Sequence, residues 1–294
     1  MNQTTGTVTK GRLPPWFKQR LAEPGVMSTM HDLLGRLGLH TICQSALCPN
    51  IGRCFTSGTA TFLILGDVCT RRCTFCAVKK GHPAPVDETE PHHLCDAVAK
   101  LGLTYVVITS VTRDDLPDGG ASQFAQTVNL LQKNMADITI EVLIPDFRGS
   151  KESIRTVVES GPQVINHNLE TVPRLYPEAR TGADYARSLE LLYTVKKLNP
   201  DIVTKSGLML GLGESRDELI EVMGDLREAD CDLLTIGQYL QPSPHHHPVV
   251  SFIPPEEFAG YEAIGREMGF SGVASSPLVR SSYRAAELYE KAKT

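Results

Sequence analysis

Six of the chain's eight cysteines fall between positions 43 and 76, in two groups of three. The segment 67-DVCTRRCTFC-76 sets Cys69, Cys73 and Cys76 in a C-x3-C-x2-C array directly after an apolar run. Three thiolates this close can bond three irons of an iron–sulfur cube and leave the fourth iron without a protein ligand. An open iron can hold a substrate or cofactor, whereas a fully ligated cluster serves as an electron relay or a structural element. Zinc is the competing chemistry, with Cys95 or His82 completing a tetrahedron. Structural zinc sites usually come as paired C-x2-C units or as cysteine pairs with two histidines, and three unequally spaced cysteines fit that habit poorly. Upstream, 43-CQSALCPNIGRC-54 places Cys43, Cys48 and Cys54 in a C-x4-C-x5-C array, which implies a second cluster, again one ligand short within the segment. A second zinc is the alternative there, because Pro49, Asn50 and Gly52 form a turn-like stretch compatible with tetrahedral ligation.

The first array, with Phe75 just before its last cysteine, resembles the signature of the radical S-adenosylmethionine (SAM) enzymes. That resemblance implies a 4Fe-4S cluster whose open iron is chelated by the amino and carboxylate groups of SAM. One electron from the cluster would then release a 5′-deoxyadenosyl radical, able to take hydrogen from carbons that no side chain could deprotonate. Both triplets in this order, together with 61-TFLILGDVCTRRCTFCAV-78, 112-TRDDLPDGGA-121, 166-NHNLETVPRLY-176, 238-QYLQPS-243 and 280-RSSY-283, resemble the lipoyl synthase family of radical SAM sulfur insertases. The likeness runs from about residue 13 to the end of RSSY.

What it implies is specific. Two sulfur atoms would enter at C6 and C8 of an octanoyl chain carried on a lysine of a lipoyl carrier protein or lipoyl domain. The second cluster would be the sulfur source, with Ser282 as its fourth ligand, although Ser281 is adjacent and chemically equivalent. A serine oxygen is a weaker partner for iron than a thiolate, so that corner would open most easily. Asn168 and Glu170 would hydrogen-bond the SAM ribose, Arg180 would reach its carboxylate, and Phe75 would lie in the cofactor-binding loop. Reduced ferredoxin or flavodoxin would supply electrons. The chain departs from the family pattern at Arg53, Phe55 and Ser276, which bears on loop details and partner contacts.

Other motifs read more simply. On capping preference alone the RSSY serines suit the start of a helix over 284–293. Asp114, Asp115 and Asp118 precede Gly119 and Gly120 and suit turn formation and helix capping better than Mg²⁺. The glycines of 207-GLMLGLGE-214 allow close backbone approach, of an adenine by the family resemblance or at a strand-to-helix corner otherwise. His167 reads as structural, His245, His246 and His247 as a polar loop between prolines, and Cys95 and Cys231 as buried thiols.

The elements that must position these residues alternate. β-branched runs predict strands at 60–66, 104–110, 138–144, 163–169, 203–210 and 232–237. Amphipathic stretches predict helices at 88–101, 120–134, 150–160, 184–198, 215–229 and 255–268, with Ser150, Asp184 and Ser215 as caps. Six βα units with right-handed crossovers make an α/β fold of partial (β/α)6 TIM type, with functional loops at the carboxyl ends of the strands. A flat doubly wound sheet is the alternative. The domain expectation is an N-terminal extension, 1–58, carrying the auxiliary ligands and a helical stretch around Met30 to Leu37. A barrel over 59–269 follows, and a tail over 270–294 bears RSSY.

At 294 residues, 41% hydrophobic and 21% charged, the composition excludes disordered, collagenous and coiled-coil classes. No apolar run approaches the roughly 20 residues of a membrane span. The amino-terminal MNQTTGTVTKGRL lacks the apolar core of a secretory signal, so the expected compartment is the cytoplasm, or an organelle interior of similar reducing poise, where clustered cysteines favour metal chemistry over disulfides. A net charge of −5 argues against a nucleic-acid partner, while Arg71, Arg72, Lys79 and Lys80 could form a local basic patch or a solvated loop. Two further readings stay open: a radical SAM sulfur insertase acting on a free small molecule, and a zinc-bearing binding module.

Overall fold

A computed structural model of the chain describes residues 13–18 and 24–293; residues 1–12, which carry most of the reading against a secretory signal, lie outside the described residues. Helix α1 (Pro24–Arg36) leads into strand β1 (His40–Thr41) and two short helices, α2 (Ile42–Ser45) and α3 (Ile51–Thr56). Next come β2 (Thr61–Ile64), the two-residue strands β3 (Val68–Cys69) and β4 (Lys79–Lys80), α4 (Glu90–Leu101), β5 (Tyr105–Ser110), α5 (Ala121–Asn134) and β6 (Thr139–Leu143). The second half runs α6 (Lys151–Glu159), β7 (Val164–Asn166), α7 (Tyr176–Ala179), α8 (Tyr185–Leu198), β8 (Val203–Leu210), α9 (Arg216–Glu228), β9 (Leu233–Gln238), α10 (Pro255–Glu267), β10 (Gly272–Ser275) and α11 (Ala285–Ala292).

Eight strands form one sheet in the order β1-β2-β5-β6-β7-β8-β9-β10. All neighbours are parallel except β1, which pairs antiparallel with β2. Sequential parallel strands joined by helices are the (β/α) barrel arrangement, and β1 and β10 are not paired with each other, so the barrel is incomplete. Strands enclosed on both faces need continuous apolar character, which Phe62, Leu63 and Ile64 in β2 and Leu233, Leu234 and Ile236 in β9 supply.

All six strands and six helices expected from the sequence are present. The three caps act as expected: Ser150 accepts from the Ser153 amide, Asp184 from Arg187, and Ser215 forms a capping box with Glu218. The segment read as a tail differs, because its first residues form β10, a seventh parallel strand. A four-residue strand of small side chains carries too little pattern to be seen in sequence. The RSSY serines do not cap α11. Its first flanking residue is Arg284, in the left-handed region at φ 54°, and the helix begins only at Ala285.

Helix α11 packs along β10 and brings Tyr289 to 6.0 Å from Tyr105 at the start of β5. Beside Tyr105 the interior holds a fully buried ion pair, with Lys205 Nζ 2.8 and 3.0 Å from the two Glu141 oxygens. Tyr105 and Asn166 also donate to Glu141, so every partner a buried carboxylate requires is supplied.

Candidate active site

The first cysteine array lies in the loop after β2, and its backbone is tied down on every side. Cys69 sits in β3, beside β4, and accepts at its carbonyl from Gly81. Thr70 donates from its amide and its hydroxyl to Thr112 beyond β5. Thr74 donates to Ala179 and Glu178 at the end of α7, while His247 N donates to the Thr74 carbonyl. His246 Nε2 lies 3.2 Å from the Cys76 carbonyl. Arg71, between the first two cysteines, reaches Asp114 through Nε (2.8 Å) and buried Asp146 through Nη2 (2.5 Å). The loop is therefore stapled to the carboxyl ends of four strand–helix units, where barrel enzymes assemble their sites.

The residues expected to contact SAM cluster against this loop. Asn168 and Glu170 follow β7, with Asn168 Nδ2 donating to Glu170 Oε1 at 3.0 Å. Arg180 is buried, donating to the hydroxyls of Tyr176 (2.7 Å) and Ser188 (3.1 Å), with Tyr176 also stacked beneath it. It makes no ion pair among the described residues, yet Glu170 and Cys73 lie within electrostatic reach. Burial pushes the Cys73 thiol up and Arg180 pulls it down, while burial raises the Glu170 carboxyl. Cys76 is pushed up to about 12 by burial, with Cys73, Cys69 and Glu170 adding to it. Three buried polar atoms, Ser110 Oγ, Asn166 Oδ1 and Thr171 Oγ1, have no hydrogen-bond partner among the described residues. A buried cation with no carboxylate partner among the described residues fits a carboxylate-bearing ligand. Phe75 is half-buried against the apolar core. His167 is buried and neutral, its pKa brought down to about 4 by burial and by Arg180.

The second array spans α2 to α3. Cys43 is buried in α2, Cys48 follows Leu47, whose φ of 52° turns the chain, and Cys54 lies in α3. Burial raises the Cys43 thiol, with Cys48 adding, and raises Cys54 to about 11, with Cys43 and Cys48 adding. None of the eight cysteines is in a disulfide. Metal-free, such thiols are held protonated, and iron would bind them as thiolates with release of the protons. Among the described residues no three His, Cys, Asp or Glu side chains converge on a single-ion site. A cube takes three thiolates on three separate irons and needs no such convergence.

The carboxyl-terminal segment joins the second array to the residues that follow β7. Asn50, between Cys48 and Cys54, donates to the Leu278 carbonyl at 2.7 Å. Burial lowers the pKa of the Arg280 guanidinium, and Cys48 of the second array and Glu170 after β7 oppose that loss. Ser281 Oγ donates to Asn168 Oδ1 at 2.8 Å, whereas the Ser282 hydroxyl makes no hydrogen bond among the described residues. Gly207 serves this contact: a Cβ there would lie 2.7 Å from Asn168 Oδ1 and 2.8 Å from Ser281 Oγ, so its close approach is to the protein's own side chains.

Sequence reasoning missed Arg280, the Arg71–Asp146 staple and the hold that His246 and His247 exert on the cysteine loop. RSSY itself signals the first, and the others depend on contacts between distant loops. Asp118 caps α5 by accepting from Gly120 and Ser122, as read, while Asp114 and Asp115 take Arg71 and Arg113. Cys95 and Cys231 are buried thiols.

Residues 63–226 match the Radical SAM superfamily. Solved structures with the same fold include HydG, a maturase of the FeFe-hydrogenase (TM-score 0.58, 12% identity, 72% of this chain and 50% of that one). Streptococcus suis SuiB bound to precursor peptide SuiA is another (TM-score 0.53, 10% identity, 88% and 54%). Fold and site thus define a radical SAM enzyme, a class that carries a 4Fe-4S cluster and uses SAM. Curated relatives narrow this. Lipoyl synthases from Caldanaerobacter subterraneus subsp. tengcongensis (58% identity, 93% of this chain, 96% of theirs) and Alkaliphilus metalliredigens (54%, 95% and 97%) align almost end to end. That of Aquifex aeolicus shares 57% over 87% of this chain and 92% of its own. The chain belongs to the lipoyl synthase family.

Proposed function

We propose that this enzyme inserts two sulfur atoms, at C6 and C8, into an octanoyl chain held in amide linkage on a lysine of a lipoyl carrier protein or lipoyl domain. Cys69, Cys73 and Cys76 hold the 4Fe-4S cluster that binds SAM, and Cys43, Cys48 and Cys54 with Ser282 hold a second one that donates sulfur. The observation that carries this reading is the bridge made by the carboxyl-terminal segment, whose Leu278 carbonyl accepts from Asn50 of the second array and whose Ser281 donates to Asn168 after β7. When bound, SAM and the clusters supply hydrogen abstraction and sulfur at carbons no side chain can activate.

The chain's own residues bind and orient. Arg180, preorganised by Tyr176 and Ser188, takes the SAM carboxylate, and Asn168 and Glu170 take ribose hydroxyls. Phe75 belongs to the same cofactor-binding loop. Ser281 donates to Asn168, which supports Ser282 as the oxygen offered to iron. Residues 1–58 contribute auxiliary ligands, the radical SAM barrel runs from 59 through β10, and the segment after β10 closes on the auxiliary cluster. Ferredoxin or flavodoxin supplies electrons, in the cytoplasm.

The test uses anaerobic protein with reconstituted clusters, SAM, dithionite and an octanoylated lysyl peptide. Expected products are 5′-deoxyadenosine and a peptide heavier by sulfur; absence of both contradicts the assignment. Alanine at Cys69, Cys73 or Cys76 abolishes SAM cleavage, whereas alanine at Cys43, Cys48 or Cys54 spares cleavage and loses sulfur transfer.

A further inference from the structure

The stretch 67–82 carries four cations and one carboxylate in a chain whose net charge is −5. Only Arg71 is used inside, between Asp114 and Asp146. Arg72, Lys79 and Lys80 are exposed. Lys79 pairs with Asp67 at 2.6 Å while its side chain stays 74% exposed, a geometry that contributes little to stability. Arg72 and Lys80 have no ion pair or hydrogen bond among the described residues. These cations stand against the cysteine loop itself, since the β3–β4 ladder pairs Val68 with Lys79 and Cys69 with Lys80. Paired strands lie roughly 5 Å apart, so Lys80 marks the surface one strand away from the backbone of Cys69.

We infer that Arg72, Lys79 and Lys80 form the docking surface for an acidic one-electron donor protein carrying a low-potential flavin or iron–sulfur centre. The inference rests on the reading that Cys69 holds the SAM-binding cluster. Electron transfer weakens steeply with distance, so a donor must bring its redox group against the loop that holds the acceptor. A cationic rim on an otherwise acidic protein steers an acidic partner to that spot and opposes its settling elsewhere. A carrier domain has no such requirement, because its acyl-lysine arm is long and reaches the barrel from a more distant seat. In the step itself the donor is oxidised by one electron, the cluster is reduced by that electron, and no atom is transferred.

The test uses reconstituted holoenzyme and purified flavodoxin, an acidic flavin protein. Wild type is compared with the double variant Arg72→Glu/Lys80→Glu, its neutral counterpart Arg72→Gln/Lys80→Gln, and Lys133→Glu on the outer helix α5 as a charge control. Expected results are a Kd for flavodoxin weakened about tenfold or more at low salt in the reversal variant, less in the neutral one, and unchanged in the control. The salt dependence of binding flattens in the same order. Flavodoxin-driven formation of 5′-deoxyadenosine falls in parallel, while dithionite-driven formation holds. An unchanged Kd and flavodoxin-driven rate in both double variants overturns the inference. So does a dithionite-driven loss of turnover confined to an octanoylated carrier domain, with the octanoylated peptide unaffected, which would assign the patch to the carrier. Failure of dithionite-driven cleavage in the wild type strikes the underlying cluster assignment instead, and the docking surface with it.

Discussion

At the scale of single residues, function turns on charged groups kept away from water. Arg180 is a buried guanidinium whose hydrogen-bond partners among the described residues are the Tyr176 and Ser188 hydroxyls, the Leu169 carbonyl and the His167 ring, none of them a carboxylate, so its charge is available to an incoming carboxylate. Hydrogen bonds to charged groups contribute about 1.5–3 kcal/mol, so Arg180→Ala should weaken SAM binding about 10- to 100-fold by equilibrium dialysis. An unchanged Kd would remove Arg180 from the cofactor site. His167 offers a pH signature. Its folded pKa of about 4 lies below the ordinary 6.5, so between those values the unfolded chain binds the extra proton. Stability associated with His167 is therefore present above pH 6.5 and is lost as pH falls towards 4, by up to about 3 kcal/mol. Urea unfolding at pH 7, 5.5 and 4.5 should show a shallower decline for His167→Gln than for wild type. Parallel declines would mean that this imidazole is not held neutral.

Among the elements, the loop 69–76 has little secondary structure of its own and owes its shape to neighbours. Asp146 is a charged anchor with a side chain fully shielded from solvent, its pKa pulled down to about 2 against the cost of burial by Arg71. Arg187 approaches its other oxygen at 3.3 Å. Breaking a buried pair from one side costs about 3–5 kcal/mol, so Asp146→Asn should lower stability by an amount of that order in urea titration. The same variant should retain less of the iron–sulfur absorbance after reconstitution, while the residues of the second array keep theirs. A fully loaded, equally stable variant would show that the cysteine loop does not depend on this staple. None of this network was legible in sequence, because Asp114 and Asp146 are aspartates of ordinary turns until the barrel brings their loops to Arg71. The repeating βα units were legible for the opposite reason. Each strand and helix announces itself locally, by β-branched runs and by caps such as Ser215. Strand β10 and the start of α11 gave no such local signal: one is four small residues, and the other begins beyond Arg284 in a left-handed conformation that capping preference does not anticipate.

Across the whole molecule, an incomplete barrel leaves room for both ends of the chain to take part. The amino-terminal helices bring one cysteine array, the loop after β2 brings the other, and the carboxyl-terminal segment contacts Asn50 of the first of these and Asn168 after β7. The two arrays were visible from cysteine spacing alone, and RSSY from resemblance. The link between the second array and the residues after β7 was not, since it depends on Asn50 meeting Leu278 and Asn168 meeting Ser281 across the fold. The central claim is that one chain holds two clusters. It is tested most directly by iron and sulfide quantitation on anaerobically reconstituted protein, with a triple alanine variant at Cys43, Cys48 and Cys54 beside the wild type. The expected result is about eight irons and eight sulfides per wild-type chain and about four of each in the variant, which should still cleave SAM. About four irons in both proteins, or none in either, would contradict it.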